Sequence, residues 1–546
     1  NRRTVVFDYG LPTATQVFGA TLQADDIAGF RAYAEANVNH RFIQYPNRQR
    51  EKHSTTSGIR GKRAAVGWMA HLSRSFHPFD FFAEAFGMDS EYNTSPRFVD
   101  TFGKVNYADT DEARVRHIYD FVDDNDDNDR KNDLQRRFDD GRVGEERPPG
   151  AQPILGAIDD AVFPGLDENN DFIPDFNQNH LPVRPNYIPD YEEPFLRYSV
   201  DRPEYLFALD LNNNGWGDRF ENDNEPDYPY KRGRRGFNTY LGAEITPEAR
   251  FTAGIERVRR LSTGERNRTA YGLLAYEQNF PLLGTLTLYD LFKVARDDIP
   301  DDLVQWVQRP PVLGTMSTSP GLMQEIADPL GMRNAIVNRL WLGFERLRNT
   351  GWNAETKMTW QLLRQRQKDA LDRSGGPLGR TTRRFGLVAK VERPVEIGRV
   401  DLRPRLKQEL YMDDTPYLIE RFLGSPRAER HDWSGLVSLM ARIPFMKRSR
   451  IEIGFERFIF RDFVADEDPV ADPASGPADG DPTGDFDETS FGLQLSNVSP
   501  YAGYGLMLQL GLRVDRRKIE QFGGGSGTDT NALTFISIQA GLGSRY

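Results

Sequence analysis

Apolar and polar residues alternate with a period of two through most of the second half of the chain, in segments of about ten residues. From Tyr504 to Val514 one parity holds Tyr504, Leu506, Leu508, Leu510, Leu512 and Val514, and the other Gly505, Met507, Gln509, Gly511 and Arg513. Leu402, Leu406, Leu410 and Met412 oppose Arg403, Arg405, Lys407 and Glu409. Trp433, Val437, Leu439 and Ala441 oppose Ser434, Ser438 and Arg442. In a strand, successive side chains point to opposite faces, so each segment has one oily face and one wet face. A soluble sandwich buries the oily face between sheets, whereas a membrane barrel turns it to lipid and keeps the wet face inside.

The connections separate these two solutions. Short ones fall at 499–502, 444–448, 395–397, 349–350, 280–283, 247–248 and 75–78. Long ones fall at 518–529, 464–487, 413–430, 367–382, 298–332, 91–235 and 44–62, with 261–266 intermediate. Alternating short turns and long loops put every long excursion on one end, as in a transmembrane up-and-down barrel. The spacing predicts 16 strands, and a further pair near Thr4–Tyr9 and Gln16–Gln23 would make 18. Both counts are even and place both chain ends on the short-turn side.

The final segment carries Ile536, Ile538, Ala540, Leu542 and Tyr546 on one parity and stops on the aromatic. In this the sequence resembles the Gram-negative outer-membrane β-barrel class, porin-like in size. That resemblance implies an outer-membrane location, contact with outer-membrane lipid and extracellular long loops. It names no solute. The expected fold is therefore all-β: an antiparallel up-and-down barrel of 16–18 strands with one large irregular extracellular loop. Residues 1–90 supply the first barrel strands, 91–235 an acidic insertion, and 236–546 the remaining strands.

Composition narrows the chemistry. The 546 residues include no cysteine, which excludes disulfides, thiolate metal sites and cysteine nucleophiles. The seven histidines lie in no HExxH or GxSxG context, and no enzyme is expected; His431 and Asp432, at the expected outer end of a strand, imitate a rim catalytic pair but read as polar surface. Between Thr101 and Tyr230 there are 31 Asp and Glu against 13 Lys and Arg, a net of −18, while the whole chain carries −11. Such acidic loops repel phosphate, so no nucleic-acid partner is expected.

Within the insertion, Asp210–Glu221 matches a 12-residue calcium loop position by position. Asp210, Asn212 and Asn214 offer side-chain oxygens, Gly215 the sharp turn, Trp216 its carbonyl, Asp218 the ninth position and Glu221 a bidentate twelfth. The flanks do not read as EF-hand helices, so the loop resembles thrombospondin type 3 or dockerin-like calcium modules. Asp167, Asn169, Asp171, Ile173 and Asp175 repeat the theme with Phe172 in place of glycine. Asn186, Ile188, Asp190 and Glu193 match the second half of another copy. Calcium is the expected cofactor, in a structural role.

The wet faces give Arg403, Arg405, Lys407, Glu409, Lys390, Glu392, Arg442 and Arg513 as lumen-lining residues, of mixed sign. Mixed sign favours cross-bracing pairs over a strongly selective channel. The function expected from the sequence is a pore for small polar solutes with a calcium-stabilised extracellular loop. The alternative is a non-transporting surface scaffold that docks an extracellular or lipoprotein partner. The oligomeric state is not legible in the sequence.

Overall fold

The computed structural model describes residues 13–44, 60–92, 118–119, 194–195, 197–199, 201, 205–207, 209, 221–222, 232–281, 283–300, 303–307, 322–326, 332–346, 351–366, 381–414, 418–419, 426–427, 430–446, 448–463, 482–501, 504–521 and 523–542. In chain order the strands are β1 (Thr13–Ile27), β2 (Phe30–Gln44), β3 (Arg60–Phe76), β4 (Phe79–Met88), β5 (Ile118–Tyr119), β6 (Glu221–Asn222), β7 (Arg234–Thr246) and β8 (Ala249–Arg260). Then come β9 (Arg266–Phe280), β10 (Gly284–Asp297), β11 (Leu303–Val307), β12 (Leu322–Ile326), β13 (Ala335–Arg346), β14 (Asn353–Gln365), β15 (Thr381–Glu392) and β16 (Val395–Ile397). The last are β17 (Val400–Asp413), β18 (Leu418–Ile419), β19 (Pro426–Arg427), β20 (Arg430–Met446), β21 (Ser449–Asp462), β22 (Pro482–Tyr501), β23 (Tyr504–Gln521) and β24 (Ser526–Leu542).

Eighteen of these form one antiparallel sheet in which strands consecutive in sequence within that sheet pair, except that β15 and β16 both pair with β17. The other six make three two-stranded pairs, β5–β6, β11–β12 and β18–β19, inside the long connections. The three-residue β16 continues the line of β15 past Arg393, since both pair with β17. The register runs without slip over most pairs; β2 and β3, for example, match from Phe30↔Arg74 to Gln44↔Arg60. Tight turns close one end of the sheet. At Ala28–Gly29 both φ angles are positive (54° and 80°), the geometry a two-residue hairpin needs to follow the strand twist.

The two faces are unlike. Leu406 is 44% exposed and its neighbour Lys407 4%, although they are adjacent on β17. Val437, Leu439, Phe455, Ile536 and Ile538 are exposed on the outer face, while Glu452, Glu456, Ser434, Ser438 and Lys390 are buried on the inner one. An apolar outside and a charged inside invert the soluble arrangement, and this is a transmembrane up-and-down β-barrel. For the strands lying between the terminal β1 and β24, sheet pairing satisfies the backbones, as burial in hydrocarbon requires.

Three sequence expectations change. The segment 518–529 is not a long loop: β23 and β24 extend to Gln521 and from Ser526, because Lys518, Glu520 and Thr528 continue the alternation beyond the apolar belt. The first described strand is long, Thr13–Ile27, rather than Gln16–Gln23, and the expected partner segment Thr4–Tyr9 lies outside the described residues. Because its exit at Ala28–Gly29 is a tight turn, β1 enters from the long-loop end, whereas β24 leaves at the tight-turn end. The two terminal strands of the described sheet therefore run in the same direction.

A strap along the inner wall as candidate functional site

The described residues of the acidic insertion between 194 and 209 lie along the inner face from β22 to β10 and form a strap held by the wall. The first anchor is a ring in a hollow. Gly454 and Gly492 are cross-strand partners on β21 and β22. A Cβ on Gly454 would come 2.6 Å from Phe195 Cε1, and one on Gly492 2.9 Å from Cε2. Only paired glycines leave room for that ring. The Phe195 N–H donates to Glu456 Oε2 at 3.0 Å, and Phe195 itself has φ 68°, which turns the chain onto the wall.

The second anchor is ionic. The Arg197 guanidinium lies 3.0 Å from Glu488 and 3.6 Å from Glu456, and its plane covers Phe458 at 4.1 Å. Arg517, opposite Glu488 in the register, donates to the same carboxylate at 2.5 Å through Nε. Charges this deeply buried persist only when paired and hydrogen-bonded.

The third anchor sits on the predicted basic cluster. Lys390 and Lys407 face each other directly across β15 and β17, a like-charge pair that is unfavourable alone. Asp201 of the strap lies between them. Its Oδ2 is 2.7 Å from Lys357 Nζ and 3.0 Å from Lys390 Nζ, and its Oδ1 is 3.1 Å from Lys407 Nζ. Lys407 also donates to the Arg197 carbonyl at 2.5 Å. Burial alone would raise the Asp201 carboxyl, but the ammonium groups of Lys390, Lys407 and Lys357 outweigh it and hold the group well below the usual carboxylate range. Burial and the nearby Glu392 carboxylate push the Tyr198 phenol up; its ring lies under Arg405 at 4.8 Å.

Aromatic packing completes the strap. The Tyr205 ring is fully buried against Val388 and Tyr411. It fills the space above Gly386, where a Cβ would meet it at 3.0 Å. Trp341 Nε1 donates to the Tyr205 carbonyl at 2.8 Å and Arg339 to the Leu206 carbonyl at 2.9 Å. Phe207 stacks on Tyr289 with centroids 4.4 Å apart.

The predicted lumen residues are distributed as follows. Lys390, Lys407, Arg405, Glu392 and Glu409 are buried on the inner wall. Arg405 pairs with Glu392 at 2.7 Å, Lys407 with Glu409 at 2.8 Å, and Arg403 with Asp401 at 2.9 Å. Arg442 pairs with Glu452 at 2.7 Å and Arg513 with Asp515 at 2.9 Å. His431, at a strand end, lies against Phe463 with ring centroids 4.7 Å apart. The expected calcium ligands lie outside the described residues: Asp210, Asn212, Asn214, Trp216, Asp218, Asp167, Asn169, Asp171, Ile173, Asp175, Asn186, Ile188, Asp190 and Glu193. Of Glu221 only the strand backbone is described, in β6 against Ile118–Tyr119. The strap residues Phe195, Arg197, Asp201 and Tyr205 were not legible as site residues. The available signal was glycine at inward positions, Gly386, Gly454 and Gly492, where a wall residue should be large.

No protein-family model and no curated protein matches the chain. Among solved structures it is similar to the alcaligin outer-membrane receptor FauA of Bordetella pertussis, at 10% identity over 96% of this chain and 67% of that one, with a TM-score of 0.26. It is similar to OccK1 of Pseudomonas aeruginosa at 9% identity over 96% and 92%, with a TM-score of 0.25. It is also similar to the outer-membrane channel DcaP of Acinetobacter baumannii at 10% identity over 56% and 84%, with a TM-score of 0.23. The barrel architecture stands on this chain's own strand register and on its inverted faces.

Proposed function

We propose that this protein is an outer-membrane pore for small polar solutes, narrowed from within by the strap 194–209. The observation that carries this reading is the Asp201 lock: a loop residue held on the inner wall by Lys357, Lys390 and Lys407. A strap that only capped the outer rim would have no need of anchors on β10, β13, β14, β15, β17, β21 and β22. Outside the strap, the wall pairs Arg403, Arg442 and Arg513 with carboxylates, which gives a hydrated, nearly neutral lining suited to small polar solutes.

We carry the calcium proposal on donor spacing alone. Asp210, the first ligand position, follows the strap directly after Leu209, so an ion there would tether the strap's far end. Planar-bilayer recording tests the pore. The wild type should show small, steady openings, and Asp201→Asn openings at least threefold larger. Silence from both proteins would instead favour the surface scaffold.

A further inference from the structure

The three-lysine cage around Asp201 has the form of a binding site that the chain fills with its own side chain. The wall contributes Lys357, Lys390 and Lys407, and against them Glu355 and Glu409. Lys357 lies 2.6 Å and Lys390 3.0 Å from Glu355, and Lys407 lies 2.8 Å from Glu409. The neighbouring cations are already matched, Arg405 by Glu392 and Arg384 by Asp413. Once Asp201 withdraws, this cluster of described residues keeps three ammonium groups and two carboxylates, an excess of one positive charge. Lys390 and Lys407 would then oppose each other across β15 and β17 without the Asp201 carboxylate that bridges them.

We propose that Lys357, Lys390 and Lys407 form a subsite for small carboxylate solutes, for which Asp201 is the internal stand-in when the strap is docked. The inference rests on the reading of the lumen as a solute path and names the class of solute. Three features select a carboxylate. The charge required is one. The donors address two oxygens, one shared by Lys357 and Lys390 and one facing Lys407. A phosphate dianion would add a second negative charge beside Glu355 and Glu409, which the wall does not offset. The solute also gains entry by competing with Asp201, so a carboxylate that occupies the cage loosens the strap.

The test is calorimetric titration of the full chain in detergent with sodium butyrate, with sodium phosphate as the second probe. Asp201→Ala should bind butyrate saturably and at least tenfold more tightly than the wild type, whose cage is occupied. Adding Lys390→Met should return binding to the wild-type level, and phosphate should bind more weakly than butyrate. Equal affinity in wild type and Asp201→Ala, indifference to Lys390→Met, or a preference for phosphate would each overturn the proposal. The strand signal in circular dichroism checks folding, and Asp201→Ser serves in the same titration if the alanine variant does not fold. Saturable butyrate binding by a protein silent in bilayers would sink the pore and leave the subsite. Conducting channels without the Asp201→Ala gain would do the reverse.

Discussion

At the scale of single residues, the inner wall is shaped around the strap. Gly454 and Gly492 are small so that Phe195 can be seated, and no rotamer of a larger residue avoids that ring. Gly454→Leu should therefore unseat Phe195 while leaving the outer face untouched; we expect faster proteolysis within the insertion at unchanged barrel melting, read by limited digestion and thermal circular dichroism. Asp201 sets a different expectation. Its carboxyl is held below its ordinary value of about 3.9, so the ionised form, and the lock, is complete above that pH and is lost only as acid approaches the depressed value. Conductance of the wild type should be flat from pH 7 to about pH 4.5. A step in conductance near pH 6 would assign the lock to some other group. Neither glycine pair nor aspartate could be read from sequence as a site, because their meaning lies in what faces them across the lumen.

At the scale of elements, alternation is physically decisive because each strand has one face in hydrocarbon and one in water. That is why β10, at 284–297, and β8, at 249–260, fall where the period-two pattern puts them. The pattern weakened where the belt ended: apart from the buried Ile519, the outer thirds of β23 and β24 are largely polar, although sheet hydrogen bonds carry them on. The same asymmetry predicts the cost of charge. Val437→Arg on the exposed face should destabilise the folded barrel by about 2–4 kcal/mol if it lies at the bilayer midplane. Ser438→Asn, one residue away and inward, should cost much less. Equilibrium unfolding from phosphatidylcholine bilayers measures both, and equal costs would contradict the assignment of faces. The strap had no such signal: its described residues form no strand and are held by contacts to seven strands distant in sequence.

At the scale of the molecule, a strongly acidic insertion is joined to a mildly basic remainder, and the strap is where the two meet. Arg197 and Asp201 carry opposite charges into opposite partners, Glu456 and Glu488 on one side and three lysines on the other. Calcium bound beyond Leu209 would stabilise that docking from outside. Chelation with EDTA should then make residues 160–235 protease-sensitive while the barrel stays intact; an unchanged digestion pattern would remove the ion from the account. The most direct measurement uses the absence of native cysteine. In Asp201→Cys/Lys407→Cys, a short thiol-specific crosslinker should hold the strap to β17. Single-channel conductance in a planar bilayer should be large in the uncrosslinked protein and fall to the wild-type level on crosslinking. The same conductance before and after crosslinking would show that the strap does not govern the lumen.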